Sequence, residues 1–312
     1  MNTTEGMPWE GKRCFHVAVV GTMSSGKSTL IDALLGTDCM PSANLACTAK
    51  VISICQCGDM RRLSGIVLYE DGSISTPKRV TREQIKKWNQ DEKVQRIILS
   101  GESFYGEWNK PVLVLHDTPG TNDARHPERI EQVLTFLQRN PIDIILFVID
   151  GKYSGTDTQQ KLAASILCNV VHDEKLQFLF LYNKLDCYNP KVESIAEEIN
   201  CAKNDMKAIG YIAPIVLPVS AKAAKLFQDY LSGRICSVED SEECELMMRI
   251  FSKDRWNIQD YLLAFSRTYQ EKNCRLLTLG KNADEIGIRN AFQRTGISSL
   301  QDILCYMQYK RG

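Results

Sequence analysis

One segment near the start of the chain, Gly21 to Ser28, restricts the fold more than any other, because it matches the pattern GxxxxGK[ST]. The apolar run Phe15 to Val20 precedes it, and the apolar side chains of Ser28 to Leu35 recur at helical spacing. A strand, a glycine-rich turn and a helix in this order point several backbone N–H groups at one place, beside the positive end of the helix. The sequence therefore predicts a phosphate-binding loop here.

Within this loop, Lys27 and Ser28 have side chains suited to a nucleoside triphosphate. The ammonium group of Lys27 can reach the β- and γ-phosphates, and the hydroxyl of Ser28 can ligate Mg²⁺. A glycine turn followed by an incidental Lys-Ser pair is the alternative, and the flanking strand and helix argue against it. The other residues that we assign to phosphate contact are Gly21, Ser24, Ser25, Gly26 and Thr29.

A second motif, Asp117-Thr118-Pro119-Gly120, follows the apolar run Val112 to Leu115. An acidic residue at the carboxyl end of a buried strand lies where open α/β sheets bind their ligands. Asp117 is therefore predicted to hold Mg²⁺, directly or through water, and the backbone N–H of Gly120 is predicted to contact the γ-phosphate. Alone, this motif is a common turn, but downstream of a phosphate loop it indicates a nucleotide site.

The third motif, Asn183-Lys184-Leu185-Asp186, follows the strand-like run Phe178 to Tyr182 and indicates which base is bound. Asp186 can accept hydrogen bonds from the N1–H and the exocyclic amine of guanine, a donor pair that adenine lacks. Asn183 is expected to hold the loop together, and the stem of Lys184 is expected to lie across the base. This motif therefore favours GTP and GDP over adenine nucleotides.

The fourth motif, Ser220-Ala221-Lys222, follows a predicted strand over residues 212–219. A backbone N–H in this tripeptide can donate to the guanine O6 atom. Such tripeptides are common, so its value comes from its place as the last of four motifs in a fixed order. Together the four motifs are the signature of the GTPase superfamily.

The order of the predicted elements indicates an α/β fold with a mostly parallel sheet that helices cover on both faces. Apolar runs of strand length alternate with segments of helix length from residue 112 onwards. Before that point, Asp71-Gly72 separates two strand-like runs as a hairpin turn does, and Thr81 and Gln84 have the spacing of a helix capping box. Later helices are expected at residues 127–139, 157–171, 192–209, 241–251, 258–272 and 300–309.

The character of the sequence changes after the fourth motif. Between about residues 223 and 290, charged residues become frequent and strand-like runs nearly vanish. No stretch rich in Pro, Gly or Ser separates this part from the rest, so an inserted helical subdomain explains it better than a detached domain. We predict a polar leader at residues 1–13, a P-loop GTPase domain formed by residues 14–222 and 291–312, and a helical insertion at residues 223–290.

Composition limits the partners and the compartment. Lys and Arg together number 38, as do Asp and Glu, so the formal charge is zero and no nucleic-acid partner is expected. The 12 cysteines are scattered and no apolar leader precedes them, which favours reduced thiols in the cytoplasm. Cys55 and Cys57 share a strand face, but zinc takes four ligands and no matching pair stands out. The longest apolar runs are too short to span a bilayer.

Beyond the four motifs, the chain resembles the dynamin family, especially its bacterial members. The likeness rests on the stretch GTMSSGKSTLIDALLG, on Met40-Pro41 and on Ala46-Cys47-Thr48-Ala49, and it covers residues 14–222 and the last helix. About 90 residues separate Lys27 from Asp117, roughly twice the span in a small Ras-like GTPase. The resemblance implies a large GTPase domain, here without the long stalk and membrane-binding module of larger dynamins.

The same resemblance implies a third Mg²⁺ ligand. Thr48 would be the switch threonine that completes the coordination by Ser28 and Asp117 and positions the attacking water. Asp38 and Ser42 are nearby polar alternatives for this role.

The family pattern for water attack is only partly present. In dynamin-like enzymes a Gln-Ser pair in the phosphate loop acts with a bound monovalent cation, K⁺ or Na⁺. The corresponding pair here is Met23-Ser24, so the catalytic Ser24 is kept, whereas Met23 cannot donate a hydrogen bond. Ras-type enzymes place a glutamine after the DxxG motif. Residues 121–123 lack one, and Asn122 or Asp123 could either substitute or lie in a solvated loop.

These features together predict a GTPase that converts GTP and water to GDP and phosphate with Mg²⁺. We expect a slow basal rate that rises on self-association, through a homodimer across the nucleotide face that excludes water and fixes the switches. The alternative is a GTP-dependent binding switch with negligible intrinsic hydrolysis, which Met23 and the missing glutamine favour. An unidentified protein partner and a peripheral membrane remain open as further contacts.

Overall fold

The computed structural model describes residues 7–41, 50–57, 59–102, 111–121, 126–153, 155–171, 176–188, 194–234, 237–252 and 283–310. Several predictions fall outside these ranges. They concern Thr48, its alternative Ser42, the loop residues Asn122 and Asp123, and the helix over residues 258–272. All of these stay predictions.

The described residues form nine strands and nine α-helices. The strands are β1 (Cys14–Gly21), β2 (Val51–Cys55), β3 (Asp59–Tyr69), β4 (Ile74–Ser75), β5 (Val94–Glu102), β6 (Val112–Asp117), β7 (Ile144–Asp150), β8 (Gln177–Asn183) and β9 (Val216–Pro218). The helices are α1 (Lys27–Leu35), α2 (Arg82–Gln90), α3 (Arg129–Arg139), α4 (Asp157–Asn169), α5 (Ile195–Ile209), α6 (Ala221–Leu231), α7 (Val238–Phe251), α8 (Ala283–Gln293) and α9 (Ile297–Lys310).

These strands make one sheet in the order β4-β3-β5-β2-β6-β1-β7-β8-β9. The strands β6, β1, β7, β8 and β9 run parallel to one another, and β2 pairs parallel with β5. Antiparallel pairing joins β2 to β6, and β3 to both β4 and β5. The predicted α/β fold with a mostly parallel sheet is confirmed.

Burial at the centre of the sheet explains why its strands are continuous apolar runs. Every residue of β7 is buried, and so is every residue of β1 except the first. A strand that is covered on both faces has no side that must be polar, so apolar residues need not alternate with polar ones. These strands form the middle of the hydrophobic core.

The parallel arrangement brings the predicted motifs to one edge of the sheet. β1 ends at Gly21, β6 at Asp117, β7 at Asp150 and β8 at Asn183. Neighbouring parallel strands have their carboxyl ends at the same edge, which is where open α/β sheets bind ligands. Residues far apart in the sequence therefore meet there.

Two local sequence signals are confirmed. The hydroxyl oxygen of Thr81 accepts from the backbone N–H of Gln84 at 3.3 Å, and the Gln84 side chain accepts from the backbone N–H of Thr81 at 2.8 Å, so α2 begins with a capping box. The turn at Asp71-Gly72 joins β3 to β4, and Gly72 has φ +83°. This left-handed conformation favours glycine.

The strand predicted over residues 212–219 is much shorter than expected, because β9 covers only Val216–Pro218. Ile212 is 96% exposed and Ala213 has φ +48°, which an extended strand excludes. Just before them, Tyr211 is buried and its hydroxyl donates to the carbonyl of Ala163 on α4 at 2.9 Å. The chain therefore makes a turn between α5 and the sheet.

The helices α7 and α8 pack against α6 and extend the hydrophobic core of the sheet. Phe227 of α6 and Phe251 of α7 are fully buried, and their rings meet edge to face at 6.3 Å. α6 in turn is fixed to α1, since the side chain of Gln228 donates to the carbonyl of Ala33 at 2.8 Å. Through α6, the helices α7 and α8 are therefore packed indirectly against α1, the helix that follows the phosphate loop.

The aromatic cluster around Phe180 gives a test of this core. Phe180 is 1% exposed and its ring lies 5.6 Å from Phe147, 4.8 Å from Phe178 and 4.9 Å from Tyr211. Phe180→Ala should lower the free energy of unfolding by about 3–5 kcal/mol, because it removes a large buried side chain and leaves a cavity. Urea denaturation followed by circular dichroism measures the change.

The matched control is Ile212→Ala, which removes the 96% exposed side chain in the turn before β9. This change should stay within about 0.5 kcal/mol of the wild type. A loss at Ile212 as large as that at Phe180 would contradict the shortened strand and place residue 212 in the core.

Candidate nucleotide site

The phosphate loop encloses the side chain of Lys27. The ammonium nitrogen of Lys27 donates to the carbonyls of Gly21 at 3.0 Å and Thr22 at 2.8 Å, and the residue is only 6% exposed. Gly26 precedes α1 with φ +95°, in the left-handed region that favours glycine. A buried cation and the first backbone N–H groups of α1 are thereby held together, an arrangement that attracts phosphate.

The remaining predicted phosphate contacts differ in exposure. Ser24 is exposed and has φ +61°, whereas Thr29 is partly buried on α1. Ser25 is fully buried, and a Cβ added at Gly21 would lie 2.8 Å from the Ser25 hydroxyl oxygen. The hydroxyl of Ser25 therefore lies beneath the loop, against β1.

The segment after β6 lies directly against the phosphate loop. A Cβ added at Gly120 would lie 2.8 Å from Cα of Met23 and 3.3 Å from Nζ of Lys27, so only glycine fits. The backbone N–H of Met23 donates to the carbonyl of Thr121 at 3.1 Å, and the guanidinium of Arg129 donates to the carbonyl of Gly120 at 3.5 Å. The Asp117–Gly120 motif and the loop are therefore one packed unit.

The two described Mg²⁺ ligands that the sequence predicts are in direct contact. The Ser28 hydroxyl donates to Oδ2 of Asp117 at 2.8 Å, and Asp117 is 0% exposed. The hydroxyl of Thr118 donates to the carbonyl of Val19 at 2.8 Å, which holds the end of β6 in place. Mg²⁺ prefers oxygen ligands and in nucleotide sites takes one or two from the protein, the rest being water and phosphate. The donor set fits that ion.

The side chain of Asn183 joins three of the motifs. Its Nδ2 donates to the carbonyl of Ser25 at 2.9 Å, and its Oδ1 accepts from the backbone N–H of Ala221 at 3.0 Å. Asn183 is 2% exposed, and a Cβ added at Gly26 would lie 2.4 Å from its Nδ2. One amide group thus fixes the phosphate loop, the end of β8 and the start of α6 relative to one another.

Ser220 orients the carboxylate of Asp186. The Ser220 hydroxyl donates to Oδ1 of Asp186 at 2.5 Å, and the same hydroxyl oxygen accepts from the backbone N–H of Ala223 at 3.2 Å as the cap of α6. Ser220 is fully buried, whereas Asp186 is partly exposed. A carboxylate has about four acceptor positions, so Asp186 retains capacity for the edge of a base.

Lys184 is held by an acidic residue that sequence analysis missed. Lys184 has φ +71°, and its ammonium nitrogen lies 2.7 Å from Oδ2 of Asp150 at the end of β7. The position of Asp150 at the carboxyl end of a buried strand was a usable signal. The ion pair fixes the head of the Lys184 side chain, and the stacking of its stem on a base stays a prediction.

Lys222 connects the fourth motif to α7. Its ammonium group forms an ion pair with Glu243, which lies on α7. No signal in the sequence could have identified this partner, because Glu243 lies in an acid-rich stretch that is typical of a solvated helix. The helical part of the chain therefore touches the guanine-side motifs directly.

A buried carboxylate anchors the segment that leads to Thr48, and the sequence did not identify it. Oδ1 of Asp32 on α1 accepts from the backbone N–H groups of Cys39 at 2.9 Å and Met40 at 3.1 Å, and from the Thr37 hydroxyl at 3.1 Å. Burial raises the pKa of Asp32 to about 7, and these hydrogen bonds oppose that shift. An acidic residue on an amphipathic helix is normally expected on the exposed face, so helical periodicity alone does not predict that Asp32 is buried.

Asp38 is the alternative to Thr48 that lies among the described residues, and it forms ion pairs with two cationic side chains. Its Oδ2 lies 2.9 Å from Arg82 and its Oδ1 lies 3.0 Å from Lys225. The pairs tie this part of the chain to α2 and α6. Asp38 therefore has a structural role that its position next to the predicted switch did not reveal.

Three comparisons place the chain among known proteins. The model of the dynamin family matches residues 17–185, more than half of the chain. A protein of Caldicellulosiruptor sp. (strain Rt8B.4), described as an uncharacterized protein in the xynA 3′ region, is 25% identical over 248 residues, which span 78% of this chain and 56% of that protein. Its similarity extends the match beyond the region of the family model.

Two solved chains from an oligomerised bacterial dynamin pair, reported to provide a mechanism for the long-range sensing and tethering of membranes, share the fold. They align with TM-scores of 0.53 and 0.52 at 16% identity, covering 95% of this chain and 42% of each of theirs. The chain thus spans about half the length of the relatives that it matches. Within the described ranges, no helix has the length and apolar character needed to cross a bilayer.

Asn183→Ala tests whether one amide holds the site together. The variant leaves the carbonyl of Ser25 and the backbone N–H of Ala221 without these partners, and each buried unsatisfied group costs about 1–3 kcal/mol. The free energy of unfolding should fall by about 2–6 kcal/mol, as measured by urea denaturation without nucleotide. GDP affinity should fall as well.

Asn169→Ala is the matched control, since the Asn169 side chain is exposed and, among the described residues, bonds the carbonyl of Ser165 within its own helix at 2.7 Å. That variant should remain within about 0.5 kcal/mol of the wild type and keep its GDP affinity. Equal losses in the two variants would show that the Asn183 contacts contribute nothing beyond an ordinary polar side chain.

Proposed function

The chain belongs to the dynamin family of GTPases, and we propose that it binds GTP with Mg²⁺ and hydrolyses it to GDP and phosphate. The single observation that supports this most is the Asn183 side chain, which bonds the carbonyl of Ser25 and the N–H of Ala221. It sets a phosphate-binding loop and a guanine-binding loop at one fixed spacing, as a single guanine nucleotide requires.

Phosphate and metal binding rest on Lys27, Ser28 and Asp117. Lys27 is enclosed by the loop, and its ammonium group supplies the positive charge for the β- and γ-phosphates. The contact between Ser28 and Asp117 supports these two as Mg²⁺ ligands, with Thr48 as the proposed third. When bound, the ion would supply positive charge that offsets the negative charge developing on the phosphate oxygens.

Guanine selection rests on Asp186 and Ser220. The hydrogen bond from Ser220 holds the Asp186 carboxylate in a defined orientation next to the start of α6. A fixed acceptor of this kind takes the N1–H and exocyclic amine of guanine, whereas adenine presents an unprotonated N1 and no amine at that position. The Lys184 pair with Asp150 keeps the loop in its left-handed turn beside the base.

We propose that hydrolysis depends on Ser24 and Thr48. We also propose that Met23, which stands where dynamin-like enzymes have a glutamine, limits the rate of hydrolysis. Ser24 is exposed and has φ +61°, a left-handed conformation within the phosphate loop. The Met23 side chain has neither a hydrogen-bond donor for the γ-phosphate nor an oxygen ligand for a K⁺ or Na⁺ ion nearby. The loss of a single preorganised donor costs about 10²–10³ in rate, so a slow basal rate is expected.

We propose that a second copy of the chain compensates for the hydrogen-bond donor that the Met23 side chain lacks. Association across the nucleotide face would exclude water and fix the switches beside the Gly120 segment, which already packs on Met23. The alternative function is a GTP-dependent binding switch whose hydrolysis is negligible, and the apolar Met23 is the observation that favours it.

The division of the chain is part of the proposal. We propose residues 223–290 as a helical insertion in a GTPase domain of residues 14–222 and 291–312. The ion pair between Lys222 and Glu243 supports a role for the insertion in reporting on the nucleotide, because it joins the fourth motif to α7. Two further proposals are a cytoplasmic location, which rests on the composition of the chain, and a protein partner or a membrane surface as its target, which rests on the family.

Phosphate release from GTP tests the function. With saturating GTP and Mg²⁺, turnover per molecule should rise with protein concentration over a wide range, and K⁺ or Na⁺ should change the rate. Lys27→Ala should lower turnover about a hundredfold or more, since it removes the buried cation from the phosphate site. Lys161→Ala is the matched control, because the Lys161 side chain is 73% exposed on α4, and it should leave turnover unchanged.

Each part of the proposal has its own contrary result. Turnover that stays flat as protein concentration rises argues against self-association. GTP binding without phosphate release at any concentration supports the switch instead. Release that survives Lys27→Ala would assign the activity to a contaminant or to another site.

A further inference from the structure

Cys55 and Cys57 lie close together at the carboxyl end of β2. The sulfur of Cys55 donates to the sulfur of Cys57 at 3.1 Å, and the backbone N–H of Cys57 donates to the carbonyl of Cys55 at 2.8 Å. That i to i+2 hydrogen bond folds the backbone into a three-residue turn. Two extended residues would separate the Cα atoms by roughly 6.6 Å, near the upper limit for a disulfide. The turn shortens this span and points both side chains the same way.

The neighbours of the pair hold the turn in place. Gln56, between the two cysteines, still donates its backbone N–H to the carbonyl of Leu113 at 2.8 Å, so the turn remains attached to β6. Trp9, Val112 and Val114 pack in the same small apolar cluster. Among the described residues, no group of three or more His, Cys, Asp or Glu side chains could hold a metal ion.

The surroundings distinguish the two sulfurs. The Cys55 S–H donates to Cys57 and lowers the pKa of the Cys57 thiol, while the charge of Lys12 and the backbone N–H of Gly101 act in the same direction and burial opposes them. The same hydrogen bond raises the pKa of Cys55, and burial adds to that shift. Cys57 is 6% exposed and Cys55 is 0% exposed. The Cys57 thiol is therefore the more acidic of the two, and Cys57 is the more exposed of the two buried residues.

We propose that Cys55 and Cys57 form a redox-active dithiol that closes to an intramolecular disulfide by exchange with a low-molecular-weight disulfide such as oxidised glutathione. The inference is independent of nucleotide hydrolysis. It rests on the distance between the sulfurs, on the turn that aligns them and on their different exposure.

The reaction has two exchange steps. The Cys57 thiolate attacks one sulfur of the small disulfide, whose S–S bond breaks, and a mixed disulfide on Cys57 and one free small thiol result. The Cys55 thiol then loses its proton and attacks the Cys57 sulfur, and the second small thiol leaves. Cys55 and Cys57 lose two electrons and two protons in all, and the small disulfide gains both, so the balance closes without another reactant.

Peptide mapping gives a direct test, because trypsin releases residues 51–61 as one peptide with Cys55 and Cys57 as its only cysteines. Folded protein is treated with oxidised glutathione, free thiols are blocked in denaturant without reduction, and the peptides are weighed. The wild-type peptide should be two hydrogens lighter and unblocked, and it should recover both thiols after reduction. The exposed Cys168 on α4 should instead bear glutathione, which confirms that the oxidant acted.

Single variants report the order of attack. Cys55→Ser should trap glutathione on Cys57, whereas Cys57→Ser should leave Cys55 largely unmodified over the same time. Cys168→Ser is the control and should form the Cys55–Cys57 bond at the wild-type rate. The wild-type map decides the main question even where a variant does not fold.

Two results would overturn the proposal. One is a 51–61 peptide that keeps both free thiols after Cys168 is fully modified. The other is a cross-link between peptides 51–61 and 14–27, which would assign the bond to Cys14, a thiol near the same cluster. Faster labelling of Cys57→Ser than of Cys55→Ser would overturn Cys57 as the attacking sulfur.

Discussion

The two hydrogen bonds of the Asn183 side chain set the geometry on which the nucleotide site depends. They connect the carbonyl of Ser25 in the phosphate loop to the backbone N–H of Ala221 at the start of α6. A buried amide with both ends bonded is rigid, because losing either bond leaves an unsatisfied polar group in the interior. The protein itself therefore holds the proposed phosphate loop and the proposed guanine loop at a fixed distance from one another.

The buried charged groups at this edge of the sheet, like the Asn183 amide, have hydrogen-bond partners within the protein. Lys27 is enclosed by loop carbonyls and Asp117 bonds the Ser28 hydroxyl, so each buried charge has polar partners. Burying a charge is costly unless such partners exist. A positive and a negative group placed close together in this way suit a ligand that brings phosphate and Mg²⁺ together, since each component then meets the opposite charge.

The sequence predicted the elements whose signal is local. The glycine-rich turn, the hairpin at Asp71-Gly72, the capping box of α2 and the apolar runs of β1, β6, β7 and β8 all occupy the expected places. The order of parallel strands then brings Asp117 and Asn183 to the edge where Gly21 ends β1. The motifs are therefore informative because a parallel sheet converts their order along the chain into proximity.

Tertiary contacts decide what the sequence could not reveal. The strand predicted over residues 212–219 begins late because Tyr211 bonds Ala163 and Ala213 adopts positive φ, and neither fact has a sequence pattern. β5 was not identified, although Ile97, Ile98 and Leu99 are fully buried, because a short apolar run after a charged stretch is ambiguous. Asp32 accepts hydrogen bonds from the Cys39 and Met40 backbone across the turn that follows α1, a contact that helical periodicity does not predict.

Nucleotide competition is the sharpest test of whether the proposed site selects guanine. A fluorescent GDP analogue bound to the protein is displaced by GTP, ATP or XTP, in the wild type and in Asp186→Asn. The wild type should prefer GTP over ATP by about a hundredfold or more, because ATP leaves the Asp186 carboxylate without its donors. Asp186→Asn should lose GTP affinity and gain XTP affinity, since xanthine has a carbonyl where guanine has an amine. Equal displacement of the analogue by ATP and GTP would contradict the account.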